Sequence, residues 1–169
     1  MGQQIEIAVD DFIPCLGNFK SPCFTQTADL RNPEIWVMLL EKAYAKLYES
    51  YDNIVAGIPS QALNDITGAP THTYYHTDHP DIVDKLLDGE RNQYVMCCGT
   101  PPDPNQVEAQ LSNGIVLGHA YTLLSVHEIA TREGKVRLLK IRNPWGRVEW
   151  NGDWSDRSSK WTPALKRDP

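Results

Sequence analysis

The chain has 169 residues, of which 41% are hydrophobic and 22% are charged, and its formal net charge is −6 with a sequence pI near 5.3. This length and composition fit one globular domain and exclude a low-complexity or disordered chain. The acidic balance argues against a basic surface that follows a phosphate backbone, so we expect no nucleic-acid partner.

No apolar run approaches the roughly 20 residues that a membrane-spanning helix requires, and the first residues lack the pattern of a signal peptide. The four cysteines follow no framework spacing, which favours reduced thiols over disulfides. We therefore expect a cytoplasmic protein without a membrane span. The opening Met-Gly and the end at Pro169, just after a tryptophan-rich loop, also lead us to expect a piece of a longer protein, truncated at both ends.

The N-terminal part of the chain predicts one strand and one long helix. Ile5, Ile7 and Val9 alternate with polar neighbours, which is typical of a half-buried strand. A cap at Asn32-Pro33 then precedes apolar residues at helical spacing over 33–51. We interpret the apolar stripe of this helix as its core-facing side.

Two shorter helices follow, separated by a turn-rich loop. One is predicted over 59–66 and is closed by Gly68, and the other over 80–87 and is closed by Gly89. The loop between them contains three histidines, His72, His76 and His79. They leave open an independent zinc-binding domain, which metal analysis of the protein would test.

The second half of the chain predicts strands. Apolar or alternating runs rich in Val, Ile and Leu cover 94–98, 114–130 and 135–143. Gly134 and the charged residues around it predict a hairpin turn between the last two, which are therefore antiparallel neighbours. Helices before strands predict an α+β domain and not a parallel α/β sheet.

Two polar residues lie at notable places in these strands. His119 is predicted within a strand, between Gly118 and Ala120, whose small size lets another backbone or a substrate approach the ring. Asn143 stands where the next strand runs into Pro144. Each has an ordinary explanation, since strand histidines are often packed core or edge residues and asparagine often forms turns.

Together the two residues suggest chemistry. If the hairpin pairs their strands, His119 and Asn143 can meet although 24 positions separate them. An asparagine carbonyl oxygen can accept the imidazole N–H, and a neutral orienting group suits a thiolate–imidazolium pair. We therefore predict a direct or water-bridged contact between the two side chains, with Trp145 packed beside them.

At this point the residues resemble a known family. GHAYTLLSVHEI at 118–129 and KVRLLKIRNPWGRVEWNGDWSD at 135–156 resemble the calpain family of calcium-dependent cysteine proteases. LLEKAYAKLYESYD at 39–52, NDITGAP at 64–70 and VDDFIP at 9–14 resemble its long helix, its acidic-Thr-Gly segment and its first strand. The resemblance covers nearly the whole chain and implies that 1–169 is the second subdomain of a papain-like protease core, with a small antiparallel β-sheet and flanking helices.

The resemblance also implies roles for particular residues. His119 corresponds to the catalytic general base and Asn143 to the residue that orients it, while Gly118 and Trp145 lie at the substrate cleft. In the family the nucleophile belongs to an earlier, GDCW-type helix start, which nothing in this chain matches. We therefore expect the Cys-bearing subdomain of the same protein as a partner, protein substrates, and no activity from this chain alone.

None of the four cysteines fits the missing nucleophile. Cys15 and Cys23 lie in predicted loop without the flanking motif, and Cys97 and Cys98 fall in a strand that the family uses structurally. A rival function remains open, a non-catalytic calpain-like regulatory or binding module whose other half lacks the cysteine. The parent sequence upstream of residue 1 distinguishes the two.

Calcium enters through the same resemblance. Glu149 and Asp156 align with acidic calcium ligands of the family, and Asp153 can add one oxygen. Calcium takes six to eight oxygens, so two carboxylates form only a partial site, and solvated loop carboxylates are the alternative. We expect calcium to be a regulatory cofactor of the complete protease core, bound weakly or not at all by this chain.

Overall fold

A computed structural model describes residues 3–17, 21–27, 31–32 and 34–166. The chain divides into two compact units, Met1–His72 and Thr73–Pro169. The described residues form three α-helices and a three-stranded antiparallel sheet, so the predicted α+β class is confirmed. Among these residues, no helix has the length and apolar character needed to cross a membrane.

Helix α1, in the first unit, spans Trp36–Leu47 and is shorter at both ends than the predicted 33–51. Its cap position falls after Asn32, so the predicted cap is wrong there, and Pro33 lies outside the described residues. Glu49 has a left-handed φ of +75°, a geometry that a continuing helix does not contain.

The buried side of α1 differs from the predicted one. Met38 and Ala45 are buried, whereas Trp36, Leu40 and Leu47 of the predicted core-facing stripe are exposed. Helical periodicity identifies an apolar stripe, but the segments that pack against the helix decide which side is covered. In this unit the irregular N-terminal segment packs against α1.

The predicted N-terminal strand is wrong, because residues 3–14 belong to no strand. The segment instead contacts α1, where Lys46 Nζ donates to the Ala8 carbonyl (2.7 Å) and Lys42 pairs with the Asp10 carboxylate. The amides and carbonyls of a strand need hydrogen bonds to the backbone of a neighbouring strand. In this unit, lysine side chains of α1 bind the segment instead. The two-residue alternation therefore reflects partial burial, not sheet pairing.

The other two helices were predicted to end at glycines, Gly68 and Gly89. Helix α2 spans Pro59–Thr67 and ends at Gly68, whose left-handed φ of +69° confirms the predicted closure. Helix α3, in the second unit, spans Ile82–Arg91, so the predicted end at Gly89 is wrong. An ideal Cβ on Gly89 would lie 2.7 Å from the Met96 sulfur, so this glycine permits close packing inside the helix.

The sheet of the second unit has the strand order β1-β2-β3, with Met96–Gly99 as β1, Ala120–Thr131 as β2 and Gly134–Arg142 as β3. Both pairs are antiparallel, and the predicted hairpin joins β2 to β3. Strand β2 starts later than the predicted 114–130 because Gly118 has a left-handed φ of +64°, which interrupts extended backbone. His119 therefore lies directly before the strand and not within it.

A β-bulge at Leu124 keeps the apolar side of β2 facing the core. Tyr121 and Leu123 are buried, the register to β3 shifts after Leu123, and Val126 is buried next. Strict alternation after Leu123 would turn the Val126 side chain away from the core. The extra residue, Leu124, shifts the alternation by one position, so the Val126 side chain points inward. The Val126 N–H donates to the Glu90 carboxylate of α3 at 3.2 Å, so the helix supplies the acceptor at this position.

A small hairpin before β2 supports the loop that follows β3. Gln110 and Val116 form an isolated bridge, and Val116 is fully buried. Gly114, in the turn between them, has a φ of +89°, and an ideal Cβ there would lie 1.9 Å from the Glu149 carbonyl oxygen. The Asn151 N–H donates to the carbonyl of the residue before Gly114 at 3.0 Å. The loop after β3 is therefore docked on this turn.

Gly114→Ala is expected to lower the free energy of unfolding by about 2–5 kcal/mol, because left-handed strain and a backbone clash add. Gly134→Ala is the matched control, since Gly134 has a φ of +123° but no atom within 4 Å of an added Cβ. Strain alone should cost the control about 1–3 kcal/mol. Urea unfolding followed by tryptophan fluorescence measures both, and equal losses would contradict the docked loop.

Candidate active site

Gly118 and Thr100 shape the chain around His119. An ideal Cβ on Gly118 would lie 3.4 Å from the Pro102 Cα, and the Gly118 N–H donates to the Pro101 carbonyl at 2.9 Å. The His119 N–H donates to Thr100 Oγ1, and the Thr100 N–H donates to the His119 carbonyl, both at 3.1 Å. These contacts hold a histidine that is only 7% exposed at the start of β2.

The Asn143 side chain holds the His119 ring. Asn143 Oδ1 lies 2.9 Å from His119 Nε2 and also accepts the Trp145 N–H at 3.0 Å. Asn143 Nδ2 donates to the carbonyls of Arg147 (3.0 Å) and Val148 (3.4 Å). Donors and acceptors thus orient the amide with its oxygen toward the ring, so Nε2 donates. The predicted proximity of the His119 and Asn143 side chains is confirmed. Asn143 also begins a turn, in which its carbonyl accepts the Gly146 N–H.

Two aromatic rings flank the imidazole of His119. The Trp145 ring centroid lies 4.5 Å from that of His119, and Tyr121 approaches edge-on with centroids 4.9 Å apart. Tyr121 is buried and its hydroxyl accepts the Val116 N–H at 2.8 Å, whereas Trp145 is partly exposed. The tryptophan therefore packs next to the His119–Asn143 bond, as predicted, and the tyrosine anchors the ring to the core.

The other ring nitrogen contacts a residue that the sequence did not single out. Glu108 Oε1 lies 2.7 Å from His119 Nδ1. Glu108 belongs to the segment between β1 and β2 and has a left-handed φ of +50°, which is uncommon for a glutamate. Neither periodicity nor a motif marks it, because only the fold of this segment brings its carboxylate to the ring.

The two partners of the ring are both groups that can accept a hydrogen bond. Asn143 Oδ1 accepts a hydrogen bond, and an ionised Glu108 carboxylate can only accept. A ring that donates to both partners does so from both nitrogens, as an imidazolium does. This is the charge state that accompanies a thiolate in cysteine–histidine catalysis.

The four cysteines, all within the described part of the chain, are free thiols: Cys15, Cys23, Cys97 and Cys98. At the two ring nitrogens of His119, the hydrogen-bond partners are Glu108 and Asn143. Desolvation in β1 raises the pKa of Cys97 and of Cys98, and the neighbouring Cys97 raises that of Cys98 further. Both thiols are therefore poor sources of thiolate at neutral pH.

The acidic residues expected to bind calcium lie in the loops after β3. Glu149, Asp153 and Asp156 are exposed, and Asp153 lies 3.9 Å from Lys160 Nζ. Within the described ranges, no three His, Cys, Asp or Glu side chains come close enough to hold a metal ion. The partial calcium site at Glu149 and Asp156 stays a prediction, and so does the zinc site at the loop histidines, His72, His76 and His79.

An α+β unit that presents a buried imidazole, oriented by an asparagine amide and flanked by a tryptophan, is typical of hydrolases with a cysteine nucleophile. Sequence comparison identifies the family within this class. The chain belongs to the calpain family of cysteine proteases, whose sequence model matches residues 1–168.

Three related proteins illustrate the similarity. The chain is 38% identical over 164 residues to Calpain clp-4 of Caenorhabditis elegans and 39% identical over 161 residues to Calpain-14 of Homo sapiens. It is 37% identical over 167 residues to Calpain-A of Drosophila melanogaster. Each comparison covers 95% of this chain and 20–22% of the relative, so the chain spans about a fifth of their length.

Thr100→Val should destabilise the chain by about 1–3 kcal/mol, because it leaves the His119 N–H without its hydroxyl acceptor. It also removes the hydroxyl that donates to the Val116 carbonyl at 2.7 Å. Thr100→Ser is the matched control, since it keeps the hydroxyl and loses one methyl group, worth about 0.8 kcal/mol. Urea unfolding compares them, and an equal loss in both would mean that packing, not the hydroxyl, supports His119.

Proposed function

We propose that this chain supplies the acid–base half of the active site of a calcium-dependent cysteine endopeptidase. His119 is the general acid and base, and Asn143 orients its ring. The observation that carries the proposal is the 2.9 Å contact between Nε2 and Oδ1, and membership of the calpain family supports the peptidase class. The proposal includes a papain-like core of which this chain is the second subdomain.

The reaction uses Nδ1 of His119, because Asn143 binds Nε2. A cysteine thiolate attacks the carbonyl carbon of the scissile peptide bond, and the Nδ1 proton passes to the leaving amine as the C–N bond breaks. The neutral ring then takes a proton from a water molecule whose oxygen attacks the thioester. Cleavage of the C–S bond releases the acid product and restores the thiolate–imidazolium pair.

The nucleophile comes, in this proposal, from the Cys-bearing subdomain of the same protein. The raised pKa of Cys97 and of Cys98 argues against their use. The oxyanion hole accompanies the nucleophile, since preorganised donors must point at the charge that develops on the attacked carbonyl. Gly118 and Trp145 border the substrate cleft beside His119, and the substrates are proteins.

Calcium is the proposed regulatory cofactor of the complete core. Glu149 and Asp156 would contribute carboxylate oxygens, and most of the six to eight oxygen positions would be filled by other ligands. No step of the reaction above passes through the ion. A cytoplasmic location completes the proposal and is supported by the four free thiols in the described residues.

We expect the 169-residue chain alone to show no peptidase activity with or without calcium, because the proposed nucleophile belongs to another subdomain. A fluorogenic peptide assay under reducing conditions at millimolar calcium tests this. Turnover that both His119→Ala and alkylation abolish would mean that one of the four cysteines is the nucleophile, contrary to the proposal.

In the full-length protein, His119→Ala should lower kcat/KM by about 10²–10⁴-fold, the usual contribution of general acid–base catalysis. His127→Ala is the matched control, because His127 lies in β2 and its ring bonds Ser125 Oγ at 2.7 Å, away from this site. Activity retained in His119→Ala would remove the catalytic assignment. A full-length protein without any peptidase activity would favour the non-catalytic module.

Calorimetry should show weak calcium binding or none for this chain, because two loop carboxylates leave most of the coordination to water. Glu149→Ala and Asp156→Ala should change the titration little. Glu133→Ala, in the exposed β2–β3 turn, controls for the loss of one negative charge. Micromolar binding that disappears in the first two variants and persists in the control would reveal a more complete site.

A further inference from the structure

Glu108 occupies the reactive side of the His119 ring. Nε2 is bonded to Asn143, so Nδ1 is the nitrogen left to face a nucleophile. Glu108 Oε1 lies 2.7 Å from that nitrogen, which is hydrogen-bond distance. A cysteine sulfur and this carboxylate oxygen cannot both be bonded there along the same N–H direction.

We propose that Glu108 is a positioning residue that holds the His119 imidazolium in place of the thiolate and leaves Nδ1 when the cysteine arrives. The inference rests on the proposed function. It assigns Glu108 no contact with the substrate and no proton transfer in the reaction. Its role is to keep the ring oriented in the separate subdomain, and then to leave Nδ1 free for the thiolate.

The charges at the ring support this assignment. In the described part of the chain, the other hydrogen-bond and ring partners of the imidazole are uncharged, namely the amide of Asn143, the indole of Trp145 and the phenol of Tyr121. A buried charged group is costly unless it is paired. Glu108 provides a counter-charge of the same sign and magnitude as a thiolate, so exchange of one for the other leaves the charge of the ring unchanged.

The backbone around Glu108 suits a carboxylate that can leave. Ala109 is buried and its carbonyl accepts the Leu117 N–H at 2.8 Å, whereas Val107 on the other side is 91% exposed. Glu108 lies at this boundary with a left-handed φ of +50°, a strained geometry that other contacts must maintain. Its side chain is 38% exposed, so it can turn outward without displacing the core.

Nuclear magnetic resonance of the 169-residue chain at pH 6 tests the contact without any enzymatic assay. The Nδ1 proton of His119 should be protected from exchange and close to the Glu108 side-chain protons. Glu108→Ala should remove this signal while the Nε2 proton bonded to Asn143 persists, which reports an intact fold. Glu133→Ala should leave both signals unchanged. An Nδ1 signal unaffected by Glu108→Ala would overturn the inference.

Activity of the full-length protein tests the displacement. Glu108→Ala should raise kcat/KM by about two- to fivefold, the range expected when the competing partner is a partly exposed ion pair. Glu108→Gln, of nearly the same shape, should change it in the same direction, and Glu133→Ala should leave it unchanged. A decrease or no change in both Glu108 variants would overturn the inference. If His119→Ala retains activity, the proposed function itself fails, which is a separate outcome.

Discussion

The side-chain amide of Asn143 is the interaction on which the candidate site depends. Its oxygen meets the His119 ring and the Trp145 N–H, and its nitrogen meets the carbonyls of Arg147 and Val148. One side chain therefore links the end of β3, the following turn and the imidazole. A carboxylate at this position would direct an acceptor at two carbonyl oxygens, which explains why an amide suits the place.

Two features of the sheet bring this amide to the ring: the register of β2 and β3, and the interruption of extended backbone before β2. Strand pairing places Thr122 opposite Arg142, so Asn143 follows one residue beyond the paired region and reaches His119 diagonally. Gly118 interrupts the extended chain just before His119, and hydrogen bonds to Thr100 fix the backbone there. The histidine is thus positioned by irregular backbone just before the central strand of the sheet, and loops at strand ends commonly carry functional side chains.

A half-site of this kind has an electrostatic requirement of its own. A buried imidazolium beside aromatic rings needs an anion, and in the proposed core the thiolate belongs to a second subdomain. Glu108 meets the requirement from within the chain, at the ring nitrogen that Asn143 leaves open. In the proposed enzyme, Glu108 would provide the counter-charge of His119 before the two subdomains meet, and the thiolate would provide it during the reaction.

The sequence by itself determined the α+β class, the family, the β2–β3 hairpin and the pairing of His119 with Asn143, because periodicity, turn residues and motifs are local signals. Only the tertiary structure decided the features that depend on contacts between distant segments. The N-terminal alternation had no strand to pair with and contacts a helix, and Gly89 serves close packing inside α3 instead of ending it. Glu108 reaches the imidazole only through the irregular path between β1 and β2, and no local pattern encodes the distance between two side chains 11 positions apart.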